Sequence, residues 1–241
     1  MSTLNYSTFS ITARCERTGQ LGTAVATKFI AVGALCSFVK NGVGAISSQA
    51  YINPYLGIWG LEYLSQGHTA QETLDYLHSC DTAMDFRQVA IVDNFGGSAA
   101  FTGKSSDTWH GDRVAPNYAL AGNRLVSEQT LLAMASSFEK NLEWPLSQRL
   151  LAALKAGQIA GGDKEGHQSA AIKVYGDRDF PLLDLRVDEH LQPIDELQRL
   201  FDIASEVLVP LLDSLPIPEL PMKSFRYQRS RLNSEGVEKS F

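Results

Sequence analysis

Alternating apolar and polar positions predict that the chain begins with a sheet. Residues 7–14 alternate between apolar and mostly hydroxyl side chains, which is the two-residue period of a half-buried strand. A Thr-Gly turn then leads into a second strand near residues 20–27, so the two strands form a hairpin. Two more strands are predicted at residues 30–39 and 43–50, around an Asn-Gly turn. Four strands are therefore expected before the first helix.

Helical patterns follow these strands and then alternate with further strands. One helix is predicted to begin after Asn53-Pro54, and Thr69 with Glu72 forms a capping-box pattern for the next. A last helix beginning at Pro193 has the continuous apolar stripe of a helix packed on a sheet. The remaining predictions are strands at 87–93, 97–103, 118–121, 169–175 and 182–187, and helices at 127–140 and 145–157.

This order of elements favours the α+β class. Blocks of hairpins alternate with pairs of helices, which argues for stacked, mostly antiparallel sheets and against βαβ units. Residues 1–215 are predicted to form a single domain, because the length suits one large core. Residues 216–241 form a Pro-rich and then basic tail, which is either solvated or a contact to another subunit in a homo-oligomer.

The composition excludes several classes of function. A net charge of −6 disfavours nucleic acid or an anionic membrane as the main partner. No apolar stretch is long enough to span a membrane, and residues 1–6 lack the pattern of a signal peptide. Three widely spaced cysteines do not suggest a disulfide framework, and the His and acidic residues show no metal-ligand spacing. We therefore expect a cytoplasmic protein without a metal or other cofactor.

A glycine-rich segment at residues 160–171 is the first candidate for a site. Its three glycines allow close approach of a ligand between a predicted helix and a predicted strand. Gly162, Asp163 and Gln168 are the candidate substrate-binding residues here, although a helix C-cap and a solvated turn explain the same pattern. A Walker phosphate loop is excluded, because Lys164 is not followed by Ser or Thr.

The same segment carries a resemblance to a known family. Together with four other stretches it resembles the domain-of-unknown-function family 1028 (DUF1028), an uncharacterised bacterial family whose members are similar to Ntn hydrolases in fold. The resemblance implies a four-layer αββα sandwich and an amide-hydrolysing site. The other stretches are Thr8-Phe9-Ser10-Ile11 with Ala13-Arg14, Phe29 with Ala31-Val32-Gly33, Gly42 to Ala45 with Gln49 and Asn53-Pro54, and Asp184 to Asp188 with His190.

Under this resemblance Thr8 is the expected nucleophile. An Ntn hydrolase uses the side chain of its first residue, with that residue's own α-amino group as general base; the reference pKa of such an amine lies near 8. Seven residues precede Thr8, so its nitrogen lies in a peptide bond. Three alternatives remain open: cleavage before Thr8, a start site assigned too early, or a different mechanism. Ser10 and Ser2 are weaker candidates for the nucleophile.

Three further residues are expected to complete the site. Lys28, which follows the second predicted strand, is a candidate catalytic cation or anion holder, and otherwise a surface lysine. Asn123, as a catalytic residue, and Gln49, as a substrate-binding residue, are expected to donate amide hydrogens to a developing oxyanion. The function predicted is hydrolysis of an amide or related C–N bond in a small molecule. The alternative is a non-catalytic ligand-binding or assembly protein with the same fold.

Overall fold

The computed structural model describes residues 7–105, 108–212 and 215, and its strands form two antiparallel sheets. The strands are β1 (Thr8–Arg14), β2 (Leu21–Thr27), β3 (Ser37–Lys40), β4 (Gly44–Ala50), β5 (Arg87–Asp93), β6 (Ser98–Thr102), β7 (Trp109–Ala115), β8 (Tyr118–Leu125), β9 (Ser169–Tyr175) and β10 (Leu183–Val187). One sheet has six strands in the order β10-β9-β2-β1-β8-β7, and the other has four in the order β3-β4-β5-β6. The predicted α+β class with antiparallel sheets is confirmed.

Each sheet has its own helices. The helices are α1 (Val32–Leu35), α2 (Pro54–Leu64), α3 (Ala70–Cys80), α4 (Gln129–Lys140), α5 (Leu146–Ile159) and α6 (Pro193–Leu212). Helices α4, α5 and α6 pack against the six-stranded sheet, and α2 and α3 pack against the four-stranded sheet. The two largest clusters of buried apolar side chains lie at these helix–sheet contacts.

The faces of the two sheets that carry no long helix pack against each other. Strand β1 contacts β4 and β5, and β5 contacts β8. Part of this contact is made by alanine and valine side chains of β5 and β8, but part is polar: the hydroxyl oxygens of Thr12 and Ser47 lie 2.8 Å apart across the sheets. The space between the sheets is thus less apolar than the helix-covered faces, and it can hold buried polar groups.

The helix starts follow the sequence signals. Asn53 accepts a hydrogen bond from the backbone of Tyr55, with Pro54 at the first helical position of α2. Thr69 and Glu72 form the complete capping box at the start of α3. The predicted capping box is confirmed, because it depends only on residues within four positions along the chain.

Two element predictions were wrong. Residues 30–39 are not one strand, because the short helix α1 precedes β3. Ala31 adopts the left-handed conformation with φ of 56°, and the backbone N–H of Val32 donates to the Ser169 hydroxyl oxygen at 3.1 Å. A strand ladder therefore cannot begin until Ser37. Strand β7 was missed because it is an edge strand with exposed polar residues at its centre, which lack an apolar alternation.

Several other expectations concern what the described residues contain. Cys15, Cys36 and Cys80 are free thiols. No helix among the described residues is long and apolar enough to cross a membrane. Within those same residues, no group of three or more His, Cys, Asp or Glu side chains could hold a metal ion. The predicted tail at residues 216–241 lies outside the described residues, and the single domain of residues 1–215 stays a prediction.

Candidate active site

The candidate site lies at one end of the space between the sheets, where β1 begins. Thr8 is the first residue of β1, is 2% exposed, and pairs with Thr27 of β2 on one side and Asn123 of β8 on the other. Side chains alternate along a strand, so Thr8 shares a face with Thr12, which contacts the four-stranded sheet. The Thr8 hydroxyl therefore points into the space between the two sheets.

Two hydroxyl groups and one carbonyl group form a short chain of hydrogen bonds at this point. Thr27 donates its hydroxyl proton to the Ser7 carbonyl oxygen at 2.5 Å, because a carbonyl oxygen can only accept. The Thr8 hydroxyl, 3.0 Å from that of Thr27, must then be the donor in their mutual bond. The Ser7 carbonyl oxygen also accepts from the backbone N–H of Lys28 at 3.2 Å. The carbonyl group before Thr8 is thus held by two donors.

A buried amide cluster lies beside Thr8. Gln88 Oε1 accepts from Gln49 Nε2 at 2.9 Å and from Asn123 Nδ2 at 2.8 Å, and Gln88 Nε2 donates to the Gly122 carbonyl oxygen at 2.7 Å. All three side chains are at most 2% exposed. The structure thus brings Gln49 and Asn123 together, with one N–H of each amide bonded to Gln88. Gln49 Oε1 and Asn123 Oδ1 have no hydrogen-bond partner among the described residues, so the cluster offers two free acceptors.

The glycine segment closes the other side of the site. Gly162 has φ of 56°, which favours glycine, and a Cβ there would lie 2.8 Å from His167 Nε2. The backbone N–H of Asp163 donates to that same Nε2 at 3.4 Å, and Asp163 forms an isolated bridge with Leu125 at the end of β8. A side chain at position 162 would displace the histidine, so the backbone and His167 are fitted to each other.

Asp163 and His167 both have perturbed pKa values. Burial raises the pKa of Asp163 to about 6, although the Ser7 hydroxyl and the backbone N–H groups of Glu165 and Lys28 lower it in part. Burial, together with the positive charge of Lys28, lowers the pKa of His167 to about 4. His167 is therefore neutral at pH 7, which agrees with its role as an acceptor. Asp163 Oδ1 accepts from Glu165 at 2.7 Å, whereas Oδ2 has no partner among the described residues.

Lys28 and Gln168 contribute backbone groups. The Lys28 side chain is exposed, with Nζ 3.9 Å from the position of a Cβ at Gly166. Its backbone N–H is the group that reaches Ser7. The backbone N–H of Gln168 donates to the Thr27 carbonyl oxygen at 2.7 Å, which fixes the glycine segment to the end of β2.

Sequence reasoning missed Ser7, Thr27 and Gln88. The hairpin turn centred between residues 17 and 18 places Thr27 opposite Thr8, so extending the ladder from the turn would have identified it. Gln88 is a polar residue on the face of β5 that otherwise carries Ala90 and Val92. A lone polar residue in such a row is a weaker signal, because its hydrogen-bond partners come from four other strands.

Comparison with known proteins places the chain in a family. Residues 8–197 match the model of the family of unknown function DUF1028. The chain belongs to this family. It is similar to the solved structure of protein SPO2555 from Silicibacter pomeroyi, a DUF1028 protein, with 30% identity over 88% of this chain and 95% of the other and a TM-score of 0.80.

Two further comparisons carry no information on function. Anbu, an ancestral β-subunit from Yersinia bercovieri, aligns with 13% identity over 88% of this chain and all of the other, at a TM-score of 0.38. A likeness of that size supports neither a fold nor an activity. No curated protein matches the chain.

Proposed function

We propose that this DUF1028 protein is an Ntn-type hydrolase that cleaves an amide or related C–N bond of a small molecule. Thr8 is the nucleophile once the peptide bond between Ser7 and Thr8 has been broken. The proposal includes the four-layer αββα arrangement of that fold class. Support for it comes from the helices packed outside each sheet and from the position of Thr8 at the start of a strand between the sheets.

The observation that carries the proposal is the environment of the Ser7 carbonyl group. Its oxygen accepts from the Thr27 hydroxyl and from the backbone N–H of Lys28. Two donors directed at one carbonyl oxygen are the arrangement that stabilises the negative charge of a tetrahedral intermediate. The nucleophilic hydroxyl of Thr8 belongs to the next residue and is hydrogen-bonded to one of these donors.

Cleavage follows from this geometry in two steps. Thr8 Oγ1 attacks the Ser7 carbonyl carbon while its proton passes to Thr27, whose own proton moves to the carbonyl oxygen. Collapse of the tetrahedral intermediate breaks the C–N bond, returns a proton to the Thr8 nitrogen and leaves Ser7 as an ester on Thr8. Water then hydrolyses the ester, which releases residues 1–7 as a carboxylic acid and gives Thr8 a free α-amino group.

The cleaved chain then has the groups that turnover requires. The Thr8 α-amine is a general base with a reference pKa near 8. Lys28 N–H and the Thr27 hydroxyl hold the carbonyl oxygen of the substrate where the Ser7 oxygen now lies. Asp163 and the free oxygens of Gln49 and Asn123 border the site as acceptors for substrate N–H or O–H groups, and Gly162 and Gln168 hold the glycine segment in place.

Intact mass spectrometry of the purified full chain tests the proposal. We expect a mature chain that begins at Thr8, and we expect Thr8→Ala to retain residues 1–7 while Thr8→Ser is still cleaved. Ser10→Ala is the matched control, because Ser10 is buried on the same face of β1 and its hydroxyl has no partner among the described residues. The proposal fails if the chain keeps residues 1–7 under all conditions, or if Thr8→Ala is cleaved like the wild type.

The alternative is a non-catalytic ligand-binding or assembly protein. One observation favours it: the hydroxyl of Thr8 is buried and bonded to Thr27, an arrangement that a purely structural role also explains. Such a protein would keep residues 1–7 and would still be stabilised by its small-molecule ligand, since a ligand that binds only the folded state raises the melting temperature. A thermal-shift screen of the uncleaved Thr8→Ala variant distinguishes a protein that binds a small molecule without cleaving it from an enzyme.

A further inference from the structure

Ser7 is an unusual residue to find in a fully buried position at the edge of a site. Its side chain is 0% exposed, although no strand or helix includes it. Its hydroxyl donates to the Arg124 carbonyl oxygen at 3.2 Å and lies beside the Asp163 carboxyl group, whose pKa it lowers. The side chain of Ser7 is therefore bound by the protein, in addition to its carbonyl group.

The position of Ser7 is informative about substrates because of the chemistry proposed above. The Ser7 carbonyl carbon is the atom that Thr8 attacks, so Ser7 occupies the place of an acyl group. Its carbonyl oxygen lies at the two donors, and its side chain marks where the rest of a substrate's acyl group must lie. The contacts of the Ser7 side chain therefore describe the acyl subsite of the same site.

Those contacts are polar and closely fitted. The Arg124 carbonyl oxygen and the Asp163 carboxylate are both acceptors, and Asp163 Oδ2, on a residue 4% exposed, has no partner among the described residues. One serine proton cannot satisfy two acceptors at once. An apolar acyl group would leave Asp163 Oδ2 without a donor and would remove one of the two hydrogen bonds to the Arg124 carbonyl oxygen, which also accepts from the backbone N–H of Lys164 at 3.2 Å. An unsatisfied buried acceptor is costly. A long side chain would have to displace the glycine segment that carries Asp163.

We propose that this subsite selects a short acyl group whose β-carbon carries a hydrogen-bond donor, as a seryl group does. The inference rests on the proposed hydrolase function and adds the class of acyl group to it. Arg124 O and Asp163 Oδ2 recognise the donor. A β-amino group would satisfy both acceptors and would bind at least as well as the hydroxyl group.

The first test uses the uncleaved chain, where residue 7 itself fills the subsite. In the Thr8→Ala background, Ser7→Ala should lower the melting temperature by roughly 2–6 °C and Ser7→Leu by more, given the usual cost of an unsatisfied acceptor. The Ser7→Ala effect should shrink when Asp163→Ala is also present, because the two residues interact. Equal melting temperatures for serine, alanine and leucine at position 7 would overturn the selectivity.

The second test uses the mature chain that begins at Thr8 and measures 4-nitroaniline release from N-acetylseryl, N-acetylalanyl and N-acetylleucyl 4-nitroanilides. We expect kcat/KM to be about 5–10-fold higher for the seryl than for the alanyl probe, as for one hydrogen bond, and lowest for the leucyl probe. A higher kcat/KM for the leucyl probe than for the seryl probe would overturn the proposed acyl selectivity, but it would not contradict the proposed hydrolase function. No hydrolysis of any probe by a chain that begins at Thr8 would overturn the acyl role, whereas a chain that never loses residues 1–7 would overturn the proposed function itself.

Discussion

Thr8 and Thr27 face each other across the first hairpin, with their hydroxyl oxygens 3.0 Å apart. Thr27 bonds at once to the proposed nucleophile and to the carbonyl oxygen of Ser7. In the proposed reaction, one side chain on the neighbouring strand therefore connects the attacking oxygen with the oxygen on which negative charge develops. The ladder fixes both residues, so this connection depends on strand register and not on a loop.

Replacement of Thr27 by valine should slow the loss of residues 1–7 by about 10²–10³-fold, the usual effect of removing one oxyanion donor. Valine keeps the shape and the strand preference of threonine, so the fold should be retained. Thr27→Ser should restore cleavage, because it returns the hydroxyl group. A time course of intact mass after expression measures the rates, and wild-type cleavage in Thr27→Val would contradict the role of the Thr27 hydroxyl.

Gln88 should matter for stability more than for chemistry. Its side chain satisfies Gln49, Asn123 and the Gly122 carbonyl group within a buried cluster. Gln88→Ala removes a hydrogen-bond partner from each of these groups and opens a cavity, which should lower the free energy of unfolding by about 2–4 kcal/mol. Gln71→Ala on the exposed face of α3 is the matched control and should change it by under about 0.5 kcal/mol. Urea denaturation measures both, and equal effects would show that the cluster is not stabilising.

The fold was predictable where the deciding interactions are local. The capping box of α3 and the first hairpin turn each involve residues a few positions apart, and they appear as expected. The segment at residues 30–39 was not predictable, because its apolar composition favours a strand while a contact from distant Ser169 fixes the helical turn. Strand β7 forms through pairing with β8 and lacks a pattern of its own.

The site was predictable in part for the same reason. Thr8 and Asp163 come from segments that the resemblance or the glycine pattern singles out, and Asn123 was chosen as an amide beside small residues. Their partners are not singled out in this way: the Gln88 side chain bonds to residues of four other strands, and Ser7 precedes the recognised motif. The direction of the amide groups was also beyond sequence reasoning. Gln49 and Asn123 each give an N–H to Gln88, which leaves their oxygens free.

Gly162→Ala should destabilise the glycine segment through His167. The substitution meets a positive φ of 56° and places a Cβ 2.8 Å from His167 Nε2. Gly42→Ala is the matched control, since Gly42 has φ of 65° but no atom within 4 Å of a Cβ. We expect Gly42→Ala to lower the free energy of unfolding by about 1 kcal/mol through backbone strain alone. Gly162→Ala should lower it by about 1–2 kcal/mol more, because the new Cβ also contacts His167. Thermal unfolding compares them, and equal costs would show that His167 moves away freely.

Asp163→Asn should stabilise the protein at pH 8 and lose that effect as the pH falls. Burial raises the pKa of Asp163 from 3.8 to about 6, so the folded chain binds this proton more tightly than the unfolded chain does. The ionised carboxylate therefore costs stability above pH 6, by up to about 3 kcal/mol at roughly 1.36 kcal/mol per pKa unit, and this cost vanishes as the pH falls through 6 toward 3.8.

His167 has the opposite pH dependence, because its pKa is lowered to about 4 and its burial costs stability as the pH falls below its ordinary value of 6.5. This contribution is present in both chains and cancels when Asp163→Asn is compared with the wild type at one pH. Asparagine keeps an oxygen that can accept from Glu165, so the turn is retained. Urea denaturation between pH 4.5 and 8 measures the difference in the free energy of unfolding between Asp163→Asn and the wild type. Asp112→Asn, at an exposed position, is the control that should not show this pH-dependent gain. A gain from Asp163→Asn that is the same at pH 4.5 and pH 8 would mean that packing and not the buried charge sets the effect.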